Sequence, residues 1–222
     1  MNGPIARGHF REALETLRSE VDWLGSMAED AVREAAAALL EDQTVKAETV
    51  VAGDDELDRL LVTLEERAYA LIAQQAPVAA DLRFLVSALR VMADWERTGD
   101  RAVSLAKLAL TDWERETRSV DLLREMAAAA LGLVADARRA WRHQDLDLAL
   151  ALEHRDDALD ARYRRLVAHL LAQHGPDASG LVLHALLAGR HLERIADHAV
   201  AVGDRVSYML TGDISSLEAE IG

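Results

Sequence analysis

The sequence has no cysteine in its 222 residues. That excludes disulfides, thiolate metal sites and cysteine nucleophiles, and it fits a cytoplasmic protein. Proline is scarce, with Pro4, Pro77 and Pro176 the full set of 3, and aromatic residues make up only 4%. β-branched residues are also sparse, so a sheet has little to build from, whereas the abundant Ala, Leu, Glu and Arg favour helix and an all-α fold. Lysine occurs only at Lys46 and Lys107, and the formal net charge is -14. A protein that neutralises phosphate backbones needs clustered basic residues, so nucleic acid is not an expected partner. No apolar stretch approaches the roughly 20 residues needed to span a bilayer, and the N-terminus through Glu12 lacks a signal-peptide core. The chain therefore reads as soluble and intracellular, without membrane insertion. It also lacks a G-x-x-x-x-G-K-[ST] loop, a Rossmann glycine fingerprint and a nucleophile-base-orienter triad.

What is present is hydrophobic periodicity: 50% of residues are hydrophobic, enough for a sizeable core. From Phe10 the series Leu14, Leu17, Val21, Leu24, Ala28, Ala31 and Ala35 alternates steps of four and three, a helical seam. It predicts a first helix over about Arg7 to Leu40. A polar break at Glu41 to Thr44 precedes a second helix ending near Gln75, and Pro77 is expected at the first helical position of a third that runs through Ala109. A charged segment, Thr111 to Ser119, looks like a joint. Leu122, Met126, Ala129, Leu133 and Ala140 open a fourth helix, with an interruption expected at Asp136. A fifth runs from about Asp145 to His174, Gly175-Pro176 makes the turn, and a sixth runs from about Ala178 to Leu210, with Gly212 as its stop. Six long helices divide into two units, residues 1–113 and 114–222.

Those units repeat one another. Asp54-x-x-Leu57-Asp58 matches Asp156-x-x-Leu159-Asp160, Gln74-x-x-Pro77 matches Gln173-x-x-Pro176, and Glu96-x-x-x-Asp100 matches Glu193-x-x-x-Asp197, at offsets of 102, 99 and 97. Residues four apart on a helix share a face, and like charges so placed cost roughly 0.2–0.5 kcal/mol per pair. Counting about the turn gives the tertiary expectation. Asp54 and Asp58 centre 21 residues before Pro77, and Glu96 and Asp100 centre 21 after; around Pro176 the corresponding distances are 18 and 19. Each antiparallel hairpin should thus gather four carboxylates at one level. An oxygen-only ligand set suits divalent or trivalent Fe, Mn or Mg better than Zn. The plainer reading is a solvated acidic face neutralised by Arg97, Arg101, Arg194 and Arg205.

The segment Gln75-Ala76-Pro77-Val78-Ala79-Ala80-Asp81-Leu82-Arg83, followed by Glu96-Arg97-Thr98-Gly99-Asp100 and by Leu192-Glu193-Arg194-Ile195-Ala196-Asp197-His198-Ala199, resembles the hallmarks of the PhoU family of phosphate-transport regulators. The resemblance covers nearly the whole chain, duplication included. It implies two tandem, pseudo-symmetric three-helix bundles, often dimeric, with metal ions held by E(D)-x-x-x-D motifs. By position it gives ligand roles to Glu96, Asp100, Glu193 and Asp197, and to Asp54, Asp58, Asp156 and Asp160. It further implies a cytoplasmic, non-enzymatic negative regulator of phosphate uptake and starvation signalling. Its expected partners are the ATPase subunit of the phosphate ABC importer and a membrane phosphate-sensing histidine kinase, which would hold it at the inner membrane surface. The sequence departs from the family pattern at Trp95, Thr98 and Ala196.

Two other classes stay open. A carboxylate-bridged di-metal enzyme would ordinarily carry Glu-x-x-His motifs in a bundle core, and neither Glu96 nor Glu193 has a histidine three residues on. A metal-free helical scaffold needs no ligands. His184, His191 and His198 recur every seven residues and share a stripe of the sixth helix, either a polar face or a source of an extra ligand or pH sensitivity. Trp23, Trp95, Trp113 and Trp141 are expected in the core or between helices, with a partner-facing role open for Trp113. Asp81 and Arg83 suit local capping and ion pairing near the start of the third helix.

Overall fold

The computed structural model describes residues 4–174 and 178–215, and these form six helices: α1 (Pro4–Glu41), α2 (Thr44–Gln75), α3 (Ala80–Ala109), α4 (Thr117–His143), α5 (Leu146–Leu171) and α6 (Ala178–Thr211). Within each half all three helices pack on one another. The halves join through α3 against α6 and α1 against α4. The architecture is two tandem three-helix bundles with no strand among the described residues. None of the helices is long and apolar enough to cross a membrane.

The seam residues Leu17, Val21, Leu24, Ala28 and Ala35 are fully buried. Trp95 and Trp141 are the largest fully buried side chains, and side chains of this class contribute roughly 1.5–3 kcal/mol each on full burial. Gly25 makes room for Trp95: a Cβ there would lie 2.8 Å from the indole. Trp141 stacks on Phe84 with centroids 5.8 Å apart, and its Nε1 donates to the Arg18 carbonyl at 3.1 Å, tying α4 to α1. Arg138 of α4 adds bonds to Asp22 at 3.2 Å, Ser26 at 3.2 Å and Glu29 at 2.7 Å, all on α1. Trp23 departs from the expectation. It is 62% exposed, because it points away from the Val21–Leu24–Ala28 seam.

Three helix ends also differ from the sequence reading. α3 begins at Ala80, not Pro77. Proline disfavours helical backbone in the residue before it, so Ala76 turns left-handed (φ 44°) and closes α2 with an N–H···O bond to Ile72, and Ala79 also takes positive φ before α3 can start. α4 begins at Thr117 inside the presumed joint, since the Glu116 carboxylate accepts from the N–H groups of Arg118 and Ser119 and caps the helix. α4 then runs unbroken through Asp136, which is buried between Arg139 and Arg155 and needs no break to be satisfied. α5 ends at Leu171 rather than His174, and the Gly175-Pro176 turn lies outside the described residues. Gly212 ends α6 as expected, at φ 76°, with its N–H on the Tyr208 carbonyl at 2.8 Å.

Candidate metal centre

α2 and α3 lie side by side, and Asp54, Asp58, Glu96 and Asp100 come within electrostatic reach of one another across them. Burial raises the Asp54 carboxyl above its ordinary range, with Asp58 and Asp100 pushing it further up. Burial likewise raises Glu96, reinforced by Asp100, Asp58 and Asp54. Asp58 and Asp100 are the exposed members of this group. Gly99 sets the spacing: a Cβ there would stand 3.0 Å from Leu57, so the bare backbone lets α2 come in close beneath the carboxylates.

The second half repeats the grouping across α5 and α6, with all four carboxylates partly buried. Asp156 is the most perturbed. Burial, then the charges of Asp197, Asp160 and Glu193, push it up to about 7, and its Oδ1 is buried without a hydrogen-bond partner. Glu193 is raised by burial and by Asp197, while Arg190 and Arg194 pull it down. Arg190 pairs with both oxygens of Glu193, and Arg194 bonds Asp197 at 3.1 Å. Both register expectations thus hold: each hairpin brings its two carboxylate pairs within electrostatic reach.

The arginine arrangement only partly follows the sequence reading. Arg194 does neutralise a member of the second group, but Arg97 turns to the buried Asp94 at 3.3 Å. Among the described residues no basic side chain forms an ion pair with Asp54, Asp58, Glu96 or Asp100. Nor do three or more His, Asp or Glu side chains among the described residues converge closely enough to hold an ion as they stand. Repulsion spreads like charges that lack a counter-ion. The donor chemistry nevertheless fits a hard cation: only carboxylate oxygens, raised affinity for positive charge in both groups, and an orphaned buried oxygen on Asp156.

The histidine stripe lies away from both groups. His198 faces Asp94 of α3, with Nδ1 4.0 Å from its carboxylate, and burial together with Arg97, Arg101 and Arg194 holds its pKa down to about 4. His191 is lowered by burial and by Arg101. His184 stacks on Trp113 at 6.1 Å, and Arg115 lies over the same indole at 5.3 Å, so Trp113 is buried in packing rather than presented outward. Sequence reasoning overlooked Asp94, whose signal was its place, 97 residues before His191, on the inner face of α3. It also overlooked the Glu116–His169–Gln173 chain, bonded at 3.0 and 3.1 Å, which links the cap of α4 to the end of α5.

The PhoU domain model matches residues 21–109 and again 123–206, the two bundles in turn. The chain belongs to the PhoU family. A phosphate-specific transport system accessory protein PhoU homolog from Caulobacter vibrioides is 34% identical over 211 residues, covering 92% of this chain and 90% of the relative. PhoU homolog 1 from Mycobacterium tuberculosis is 34% identical over 206 residues, covering 91% and 93%. The crystal structure of PhoU from Pseudomonas aeruginosa superposes with a TM-score of 0.86 at 29% identity, over 92% of this chain and all (100%) of that one. These PhoU relatives span this chain almost end to end, and both carboxylate groups fall inside the matched repeats.

Proposed function

We propose that this PhoU-family protein is a non-enzymatic accessory regulator of phosphate transport that holds metal ions on its two carboxylate groups. The observation that carries the reading is the duplication of four carboxylates, in register, on the α2–α3 and α5–α6 hairpins, with Asp54, Glu96, Asp156 and Glu193 all raised by burial and by neighbouring carboxylates of their own group. Fold stability does not account for such groups, because each raised carboxyl weakens the fold at neutral pH. Asp54, Asp58, Glu96 and Asp100 would hold one ion or cluster, and Asp156, Asp160, Glu193 and Asp197 the other. Fe, Mn or Mg fits these oxygens better than Zn.

Bound cations would supply positive charge to a face that is otherwise strongly negative, and the ion's own charge then dominates the local field. The protein's part is to position the oxygens. Arg190 and Arg194 hold Glu193 and Asp197 at the edge of the second group, and Gly99 keeps the first group tightly spaced. A face whose sign depends on metal and phosphate can favour one partner over another. The relatives' description as accessory proteins of a phosphate-specific transport system supports a component of that system as one such partner; we take it to be the ATPase subunit of the phosphate importer and take a membrane phosphate-sensing histidine kinase as the second. We extend the proposal to negative regulation exerted from the cytoplasmic side of the membrane, by a homodimer.

The test is a pull-down of tagged protein from phosphate-replete and phosphate-starved cells, with elemental analysis of what is recovered. Wild type should bring down importer ATPase or kinase together with Fe, Mn or Mg. A variant with Asp54, Glu96, Asp156 and Glu193 changed to Asn or Gln should lose both. Recovery of metal-free protein with unchanged partners would overturn the metal-dependent reading.

A further inference from the structure

The two bundles align without a gap from Val21 with Leu123 through Asp58 with Asp160, at a constant offset of 102. The left-handed residues Asp42 and Gln144 hold the same place in the two hairpin links, which fixes the register independently. In that register Glu34 corresponds to Asp136, Ala37 to Arg139 and Gly53 to Arg155. In the second bundle Arg155 reaches from α5 to α4 and pairs with Asp136, which is only 7% exposed, while Arg139 bonds the same carboxylate at 2.8 Å. The first bundle has neither arginine.

At the matching place an open cleft of about 260 Å3 lies between α1, α2 and α3. Its walls are Met27, Val50, Leu57 and Val103, and its edge carries Glu34. A Cβ on Gly53 would meet nothing within 4 Å. Asp30, Glu56 and Asp54, the last a member of the first carboxylate group, also line the opening. The basic side chains near the rim are few: Lys46 sits 3.3 Å from Glu34 in a half-exposed pair, Arg33 is held by Glu29 and Asp30, and Lys107 acts on Asp54.

We propose that this cleft receives an arginine side chain projected by a protein partner, supplying from outside the guanidinium that Arg155 supplies within the second bundle. The apolar walls take the methylene stem, as such stems lie along apolar surface while the charged head reaches polar groups. The head meets a rim whose charge is predominantly negative. A planar guanidinium can bridge both oxygens of Glu34, which a lysine ammonium cannot do, so the cleft selects arginine over lysine even with Lys46 nearby. The contact depends on Glu34 and on the space at Gly53; Asp54 joins the cleft to the first carboxylate group, so the measurement is made with that group saturated by magnesium.

The test uses methyl NMR on the full chain in excess magnesium, with Nα-acetyl-arginine methylamide as probe and the neutral citrulline and cationic lysine analogues as controls. The arginine probe should give saturable millimolar shifts at the Met27, Val50, Leu57 and Val103 methyls. The lysine analogue should bind several-fold more weakly and the citrulline analogue not at all. Gly53→Arg should abolish the shifts by filling the cleft from within, and Glu34→Gln should weaken binding about tenfold, each checked for native helicity by circular dichroism. Unmoved methyls at tens of millimolar probe, equal shifts with citrulline, or undiminished shifts in both variants would overturn the proposal. Metal content is not read in this experiment, so its failure leaves the proposed metal role standing.

Discussion

Replacing Asp156 with asparagine should stabilise the metal-stripped protein in base and leave it nearly unchanged in acid. The Asp156 carboxyl is pushed from 3.8 to about 7, first by burial and then by Asp197, Asp160 and Glu193. An acid whose folded pKa lies above its unfolded value binds its proton more tightly in the native state. Stability is therefore intact below pH 4 and falls as pH climbs from about 4 to 7, where only the unfolded chain has fully ionised. A shift of that size is worth at most about 4 kcal/mol at about 1.36 kcal/mol per pH unit. Asp156 is partly solvated, so screening reduces this to about 1–2 kcal/mol. Asparagine removes the charge at nearly constant volume, and its amide can donate to a neighbouring carboxylate. For a chain of this length about 1 kcal/mol moves the melting temperature by about 2–4 °C. Thermal melts by circular dichroism after chelation should thus show Asp156→Asn melting about 2–8 °C above wild type at pH 8 and level with it at pH 4. Magnesium or manganese should then raise the wild-type melting temperature more than the variant's. Equal differences at both pH values, or a variant less stable at pH 8, would refute the electrostatic reasoning.

Glu116 should behave in the opposite sense. Burial alone would raise it, but bonds from the Arg118 and Ser119 N–H groups, the Ser119 hydroxyl and His169 hold it down to about 2. Its contribution is present above pH 4.5 and is lost as pH falls toward 2, so Glu116→Gln should cost about 0.5–2 kcal/mol at pH 7 and much less at pH 2, read by urea unfolding. Gly203→Ala places a Cβ 2.6 Å from Leu152 and 2.9 Å from the Ala149 carbonyl oxygen, against backbone that cannot swing away. Overpacking of about 1–3 kcal/mol should exceed the gain of about 1 kcal/mol from helix propensity, and denaturant midpoints should fall. Gly53→Ala meets open space and should show that gain of about 1 kcal/mol alone.

Helices and their order were legible because a buried stripe repeats with the helical period whatever it packs against. The carboxylate groups were legible as well, because an antiparallel hairpin maps distance from its turn onto height along its arms. Capping and turn geometry were not. Ala76 and Ala79 adopt positive φ although neither residue type advertises it, and Glu116 caps α4 from within a segment that reads as irregular. Trp23 was misplaced because residue type was weighed above phase: it lies off the seam, at the place occupied in the second bundle by the exposed Glu125.

The sequence by itself determined the all-α class, the duplication and the eight carboxylates, since periodicity, repeat spacing and charge are properties of order along the chain. Only the tertiary structure decided which arginine meets which acid, how far burial raises Asp156, and that an open cleft stands beside Gly53 whereas Arg155, at the matching place, pairs with Asp136. These depend on approach between helices far apart in sequence, and a difference of one side chain at such a contact leaves no trace in the periodicity of either helix.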